Sequence, residues 1–397
     1  MNAFDSATGT VLVVDDNYEN LEVLGKQLQE NDLEIEFATD GETALKWIDS
    51  QQFDLVLLDV NMPGLNGFDV CKMIKENPAH ADLPVIFITA NHDIDSIVKA
   101  FNTGAIDFIT KPFINKEVIT RVKSQIQIKK HKDAIDRYIK EIEEKNLLIE
   151  QSMRYAERIQ SGIITNQAKL DRYFSDYFVS IIPLNVVCGD FFWTYIDYGK
   201  IMVGTFDCTG HGIPGALMSI LVYSMLNEIV SQSNIDTTPD QILNQLRLKI
   251  SAALYNHVDN SALSDGADGT IIEFDLKKSV ALFSGADSRA YMIRENQITE
   301  FKGDNMPIAM FRRMDPFGVK KIAIKKGDVF YLLTDGIVDQ FGGELNKKFG
   351  RKRVMELFLQ INKLPMDEQK TIITKTFTDW KGDQYQIDDT TIVGLRI

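Results

Sequence analysis

The chain has 397 residues, 44% hydrophobic and 25% charged, with 10 prolines. That length exceeds one ordinary core, so two or three domains are expected, and the composition excludes long disordered tracts. The formal net charge of −14 works against a nucleic-acid backbone or an anionic membrane surface as partner.

The opening MNAFDSATG has no basic stretch leading into an apolar one, and no apolar run reads as membrane-spanning, so a cytoplasmic protein without membrane partner is expected. The densest basic run, IKKHK at 128–132, sits in a helical pattern that soon turns acidic and reads as a solvated face. Cys71, Cys188 and Cys208 are odd in number and far apart, which excludes a disulfide framework and a thiolate zinc site. The five histidines are scattered too. Any metal here would take oxygen ligands.

Apolar runs VLVVDD (11–16), IEFAT (35–39), FDLVLLDV (53–60), LPVIFITA (83–90) and AIDFITKP (105–112) predict five short strands. Their continuous hydrophobicity means burial on both faces, hence a parallel sheet. Helical patterns lie between them, as at 17–31 and 40–52, the second with Asp40 as N-cap. In open sheets of this kind functional residues gather at the carboxyl ends of the strands. That rule selects Asp15, Asp16, Asp59, Thr89 and Lys111. Three carboxylates crowded at one edge repel unless a cation neutralises them, and Mg²⁺ suits such a site. Lys111 adds a fixed positive charge, and its bond to Pro112 is a candidate cis peptide. An aspartate beside Mg²⁺ and a lysine can act as a nucleophile toward phosphate.

At these positions the segment over about residues 9–125 resembles the receiver domain of bacterial response regulators, through VVDD, LLDVNMPGLNGFDV, ITA and GAIDFITKP. The resemblance implies that Asp59 accepts phosphate from a histidine kinase. It also implies that Asp16, Asp59 and the Asn61 carbonyl bind Mg²⁺, with Asp15 assisting through water. Thr89 and Lys111 would contact the phosphoryl group, and Phe108 would be the aromatic that turns inward on activation.

From about 116 to 164 the chain has no proline and carries isoleucines at 128, 135, 142 and 149, then Ala156 and Ile163 at the same spacing. A sustained seven-residue period implies a coiled-coil seam. The intervening positions are mixed, so the face serves either a parallel homodimer or packing on a neighbouring domain. Such a helix can carry a rotation or register change from one domain to the next.

The remainder reads as antiparallel strands at 176–182, 199–207, 269–276, 279–286, 289–296 and 327–335, with helices at 214–232, 239–257 and 350–378. Strands and helices without regular alternation mean α+β. Four acids stand where a strand meets a turn: Asp190 in VCGDFFW, Asp207 in GTFDCTGHG, Asp335 in LLTDGIVD and Asp388 opening DDTTIVGLRI. Each alone is an ordinary turn former or N-cap. Together, with glycines allowing close backbone approach, they could support hydrolysis by two Mg²⁺ or Mn²⁺ ions roughly 3.5–4 Å apart. FDCTGHGIPGALM (206–218) lacks the lysine of a phosphate-binding P-loop.

These motifs, with YAERIQSGII, SDGADGTIIEFD and LFSGADSRAYMIRENQITEFKGDNMPIAM, resemble the bacterial branch of the PPM (type-2C) serine/threonine phosphatases, typified by the sporulation stage-II phosphatase. The resemblance covers about 150–397. It implies an antiparallel β-sandwich flanked by helices, in which Asp207 bridges two metals, the Cys208 carbonyl and Asp190 complete one site, and Asp335 with Asp388 complete the other. It further implies, as substrate, a phosphorylated anti-sigma-factor antagonist of a partner-switching pathway. The phosphate-gripping arginine of eukaryotic relatives has no evident counterpart; Arg289, Arg312 and Arg313 qualify by charge alone. Trp193 departs from the branch's usual smaller or acidic residue, His211 is displaced from the eukaryotic histidine, and His257 lacks a nucleophile partner. Asp268 is either a turn residue or a ligand of a third, weaker metal.

The expected organisation is a flavodoxin-like α/β receiver at 1–125, a helical linker at 126–165 and an α+β PPM phosphatase domain at 166–397. Two functions stay open: a phosphatase controlled by Asp59 phosphorylation, or a non-catalytic receiver-controlled protein that sequesters a signalling partner.

Overall fold

The computed structural model describes residues 9–90, 94–112, 114–164, 170–197, 199–232, 237–255 and 265–397. The chain divides into two compact units, Met1–Asn146 and Leu147–Ile397. His257 lies outside the described residues.

In the first unit, β1 (Thr10–Val14), α1 (Tyr18–Gln29), β2 (Glu34–Ala38), α2 (Gly41–Ser50), β3 (Leu55–Asp59), α3 (Gly67–Glu76), β4 (Val85–Thr89), α4 (Ile94–Asn102) and β5 (Asp107–Thr110) alternate along the chain. The strands form one parallel sheet in the order β2-β1-β3-β4-β5. Its centre is built from Val11–Val14, Leu55–Leu58 and Val85–Ile88, all fully buried, each such side chain contributing about 1.5–3 kcal/mol of burial free energy. Helix starts follow local chemistry: the side chains of Asn17, Asp40 and Asn66 accept from the backbone N–H of Glu19, Thr43 and Asp69. The Lys111–Pro112 peptide is cis.

Helix α5 (Asn115–Ile163) is continuous for 49 residues. Val118, Val122 and Ile126 are buried in the first unit's core. Beyond them the face changes character, with Ile128, Ile135, Ile142 and Ile149 each more than half exposed. Two lysines of the basic run are paired, Lys129 with Asp133 at 2.9 Å and Lys132 with Asp82 at 2.5 Å.

The second unit contains β6 (Asp176–Ile182), β7 (Phe191–Asp197), β8 (Lys200–Cys208), α6 (Ile213–Gln232), α7 (Pro239–Tyr255), β9 (Ala267–Asp275), β10 (Val280–Ala286), β11 (Arg289–Arg294), β12 (Gln297–Lys302), β13 (Lys320–Ala323) and β14 (Val329–Leu333). It closes with α8 (Gly336–Asp339), the small hairpin β15 (Phe341–Gly342) and β16 (Lys347–Lys348), α9 (Gly350–Ile361), α10 (Met366–Lys381) and β17 (Thr390–Arg396). Two five-stranded antiparallel sheets result, β13-β10-β9-β8-β7 and β12-β11-β14-β17-β6. Between them pack Val203, Ile272, Phe274, Phe283, Phe330, Leu332 and Val393. The outer face of the first sheet is covered by α6 and α7, through Phe191, Trp193, Phe206, Leu226 and Leu246. The outer face of the second is covered by α9 and α10, through Tyr331, Phe358, Ile373 and Phe377.

Three expectations need correction. The single helix at 350–378 is two, because Pro365 cannot continue a helix and starts α10 instead. The strands β7, β12, β13 and β17 were not among those read from the pattern; β12 and β13 are half-exposed edges with little apolar signal. Helix α6 is long and apolar enough by length and composition to cross a membrane. Its Val222, Leu226, Ile229 and Val230 nonetheless lie in the core against β7 and β8, so the same apolarity serves packing on a sheet.

Candidate functional site

In the first unit, Asp15, Asp16 and Asp59 meet at the carboxyl ends of β1 and β3, each offering an oxygen within 4.8 Å of the others. Asp15 and Asp59 are buried and Asp16 is exposed. Lys111 Nζ bridges Asp15 Oδ2 and Asp59 Oδ2, at 2.8 Å each. The other side of Asp15 is held by Asn20 Nδ2 at 2.9 Å and by the Asn17 N–H at 2.9 Å. Burial raises the Asp59 carboxyl against the opposing pull of Lys111. Burial also works against the charged Lys111, but its bonds to Asp15 and Asp59 outweigh that and hold it above its ordinary range.

Asn61 stands two residues after Asp59, its N–H directed at Asp59 Oδ1. Thr89 ends β4 and is buried. Phe108, half-buried, meets Phe101 edge-on with centroids 6.2 Å apart. Gly67 is required behind the cluster, since a Cβ there would come within 2.2 Å of Asp59 O.

In the second unit both sheets deliver acids to one end of the sandwich. Asp190 precedes β7, Asp207 on β8 pairs across the sheet with Asp268 on β9, Asp335 follows β14 and Asp388 precedes β17. Burial raises Asp190 and Asp207 well above the ordinary carboxylate range, and the charges of the neighbouring aspartates push the same way. Asp335, exposed at its surface, and the half-buried Asp388 are raised too, by partial desolvation first and by repulsion from neighbouring acids, Asp335 despite a side-chain hydrogen bond with Asp207. Asp268, half-buried, is pushed up to about 7 by desolvation, with the charges of Asp287 and Asp335 acting the same way.

The chemistry of this donor set suits divalent cations, although among the described residues only the oxygens of Asp15, Asp16 and Asp59 gather within 4.8 Å of one another. The buried atoms Asp190 Oδ1 and Asp268 Oδ1 have no hydrogen-bond partner among the described residues, and buried carboxylates left to repel one another favour protonation unless a cation replaces the proton. Backbone approach is equally close: a Cβ on Gly189 would meet Gly210 O at 3.0 Å and Cys208 O at 3.1 Å, and one on Gly215 would meet Gly210 O at 2.1 Å. Thus the loops bearing Asp190 and Asp207 lie against each other. The Cys208 thiol itself is buried and raised by that burial, leaving its backbone carbonyl as the group toward Gly189.

Several contributors had no distinctive sequence signal. Thr334 Oγ1 donates to Asp190 Oδ2 at 2.6 Å. Asp389 accepts from the N–H of Leu184 and of Gly189, both at 2.6 Å; it pins the Asp190 loop, while its neighbour Asp388 lies among the acids. Gln160, near the end of α5, is buried and bonds to both backbone groups of Cys188 and to Ser219 Oγ. Trp193 is wholly buried, its Nε1 donating to Asn227 at 3.0 Å. His211 is exposed, and the Asp389 N–H donates to Asp388 Oδ1 at 2.8 Å, which lowers Asp388 against the effect of burial.

A cavity of about 160 Å³ opens beside the acids, lined among others by Asp207, Asp268, Asp335, Arg289 and Arg351.

The family description "Stage II sporulation protein E (SpoIIE)" matches residues 197–397, about half of the chain. The chain belongs to the stage II sporulation protein E family. The description "Response regulator receiver domain" matches residues 11–123, so a receiver domain precedes the SpoIIE unit. The SpoIIE unit is similar in structure to the SiaA-PP2C domain of Pseudomonas aeruginosa, with a TM-score of 0.58 and 28% identity, covering 64% of this chain and 98% of that one. Among curated proteins, the response regulator PleD of Caulobacter vibrioides is 38% identical over 119 residues, 30% of this chain and 26% of PleD. The DNA-binding response regulator MtrA of Mycobacterium tuberculosis is 35% identical over 123 residues, 31% of this chain and 53% of MtrA. The chain thus spans about a quarter to a half of these relatives, and both matches have the length of a receiver domain.

Proposed function

We propose that this chain is a cytoplasmic response regulator in which phosphorylation of Asp59 by a histidine kinase controls a Mn²⁺- or Mg²⁺-dependent phosphoserine/phosphothreonine protein phosphatase. Its parts fall at 1–125, 126–165 and 166–397, and it is a homodimer through the helical linker. In the receiver, Asp16, Asp59 and the Asn61 carbonyl hold Mg²⁺, and Asp15, Thr89 and Lys111 attend the phosphoryl group. In the phosphatase unit, Asp190, Asp207, the Cys208 carbonyl, Asp335 and Asp388 would hold the two metals. When bound, the pair would supply an activated water for direct attack on phosphorus.

The observation that supports this reading most is the convergence of mutually repelling aspartates from both sheets around the buried Asp190, whose Oδ1 is unpartnered among the described residues. The residues position and hold charge: Thr334 orients Asp190, and Asp389 fixes the loop that carries it. A phosphorylated anti-sigma-factor antagonist is the substrate suggested by family membership.

The deciding experiment measures release of phosphate from a phosphoserine protein by the full chain with Mn²⁺. Wild type, Asp207→Ala and Asp59→Ala are each assayed with and without acetyl phosphate. Turnover lost in Asp207→Ala, and a response to acetyl phosphate lost in Asp59→Ala, are expected. No turnover under any condition, with retained binding of the phosphoprotein, would instead favour a sequestering regulator.

A further inference from the structure

Substrate phosphate brings a charge of about −1.5 to −2 at neutral pH into a cavity whose wall already holds Asp207, Asp268, Asp287, Asp335 and Asp339. Cations held by the acids would offset part of this charge, but the phosphoryl oxygens also need donors from the protein. Most donors around the cavity are engaged. Ser288 Oγ donates to Gly269 O at 2.6 Å, Thr334 Oγ1 to Asp190, and the Tyr291 hydroxyl to Glu300 at 3.3 Å. Arg289 is bound to the same Glu300 at 2.8 Å, which neutralises it against the sheet.

Arg351 differs. It lines the cavity, it is exposed, and its guanidinium makes no hydrogen bond or ion pair among the described residues. Its neighbours are all committed: Lys348 pairs with Asp339 at 2.9 Å, and Lys352 lies 3.9 Å from Glu356. Arg353 donates to Phe349 O at 2.8 Å and stacks over Trp380 at 4.6 Å. The root of Arg351 is therefore fixed between anchored residues, for Phe349 is buried and its N–H donates to Gln340 O at 2.9 Å. Only the tip is left to meet a ligand. A planar guanidinium offers paired donors that match two phosphoryl oxygens.

We propose that Arg351 is the residue that receives the substrate phosphate, its guanidinium gripping two phosphoryl oxygens at the mouth of the cavity. This rests on the phosphatase reading above and adds to it the cation that the sequence did not locate. Arg312, which does not line the cavity, is the charge-matched control.

The test uses the full chain loaded with Mn²⁺ and two readouts: calorimetric binding of inorganic phosphate, and kinetics on a phosphoserine peptide. Arg351→Ala should weaken phosphate binding and raise KM by about tenfold, with kcat changed by no more than about twofold. Arg351→Lys should recover part of the loss, and Arg312→Ala should match wild type. An Arg351→Ala affinity within about twofold of wild type, or an equal loss in Arg312→Ala, overturns the proposal. So does wild type that binds no phosphate. Wild type that binds phosphate through Arg351 but hydrolyses nothing overturns the enzymatic reading and leaves the assignment of Arg351 as the phosphate-binding residue standing.

Discussion

Gln160 and Cys188 exchange two hydrogen bonds: Gln160 Nε2 donates to Cys188 O at 2.5 Å, and the Cys188 N–H donates to Gln160 Oε1 at 3.2 Å. Gln160 lies on α5, the helix that begins in the receiver unit, and Cys188 stands two residues before Asp190. The same amide donates to Ser219 Oγ on α6, the helix that follows the Asp207 loop. One side chain therefore connects the end of α5 to the loop that carries Asp190 and to the helix that follows Asp207.

Replacing it with Leu leaves the Cys188 N–H without its partner and the Cys188 C=O with Ser219 Oγ alone, at a cost of about 1–3 kcal/mol. Gln160→Leu is expected to lower the thermal midpoint. Its turnover with acetyl phosphate, divided by turnover without, should fall toward one, because rotation or shift of α5 no longer reaches the Asp190 loop. A full response to acetyl phosphate in the variant would show that the signal travels elsewhere.

The sheet of the receiver and its acid edge were legible because buried parallel strands announce themselves as unbroken apolar runs, and Asp15, Asp59 and Lys111 terminate three of them. In the second unit, strand ends gave Asp190, Asp207, Asp335 and Asp388, but not their supports. The adjacent pair Asp388 and Asp389 is symmetrical in sequence; only the hydrogen bonds to Leu184 and Gly189 separate the anchor from the acid that stands beside Asp335. Gln160 and Arg351 were hidden for a related reason. Each is a polar residue in an ordinary helical pattern, and its role depends on partners, or on their lack, far away in sequence.

Thr334 gives the second prediction. Its Oγ1 donates to Asp190 Oδ2 at 2.6 Å and accepts from the Thr391 N–H at 2.9 Å, so it fixes the carboxylate while leaving Oδ1 free to bind a cation. Thr334→Val preserves shape and removes both bonds. Outer partners of metal ligands are typically worth about 10–100-fold in affinity, and a loss of that size is expected in a Mn²⁺ titration followed by calorimetry. Unchanged Mn²⁺ affinity would mean that Asp190 is not a ligand or needs no orientation.

Stability should also depend on pH through Asp268. Burial lifts its carboxyl from 3.8 to about 7, with the charges of Asp287 and Asp335 acting the same way. Between those values the folded protein holds a proton that the unfolded chain has released, so unfolding free energy falls as pH rises. The penalty is absent below the unfolded value and complete above the folded one. Asp268→Asn removes it. In metal-free buffer the variant's gain in thermal midpoint over wild type should therefore grow between about pH 4.5 and pH 8; a gain independent of pH would place the titration elsewhere.

The exposed face of α5 supplies the last prediction. Ile128, Ile135 and Ile142 are 56%, 57% and 56% exposed in a single chain, at seven-residue spacing, with Ile139 at 49% beside them. The buried apolar residues of the same helix, Val118, Val122 and Ile126, serve the receiver core, so the exposed set is a separate stripe. A second copy of the helix would cover it in parallel register, each isoleucine meeting its own counterpart across the two-fold axis. Changing both Ile135 and Ile142 to Asp puts like charges into that seam without touching the receiver core. Sedimentation should then report a monomer where wild type is a dimer, with receiver phosphorylation retained. If the variant sediments with wild type, the stripe is not the dimer seam and the linker acts within one chain.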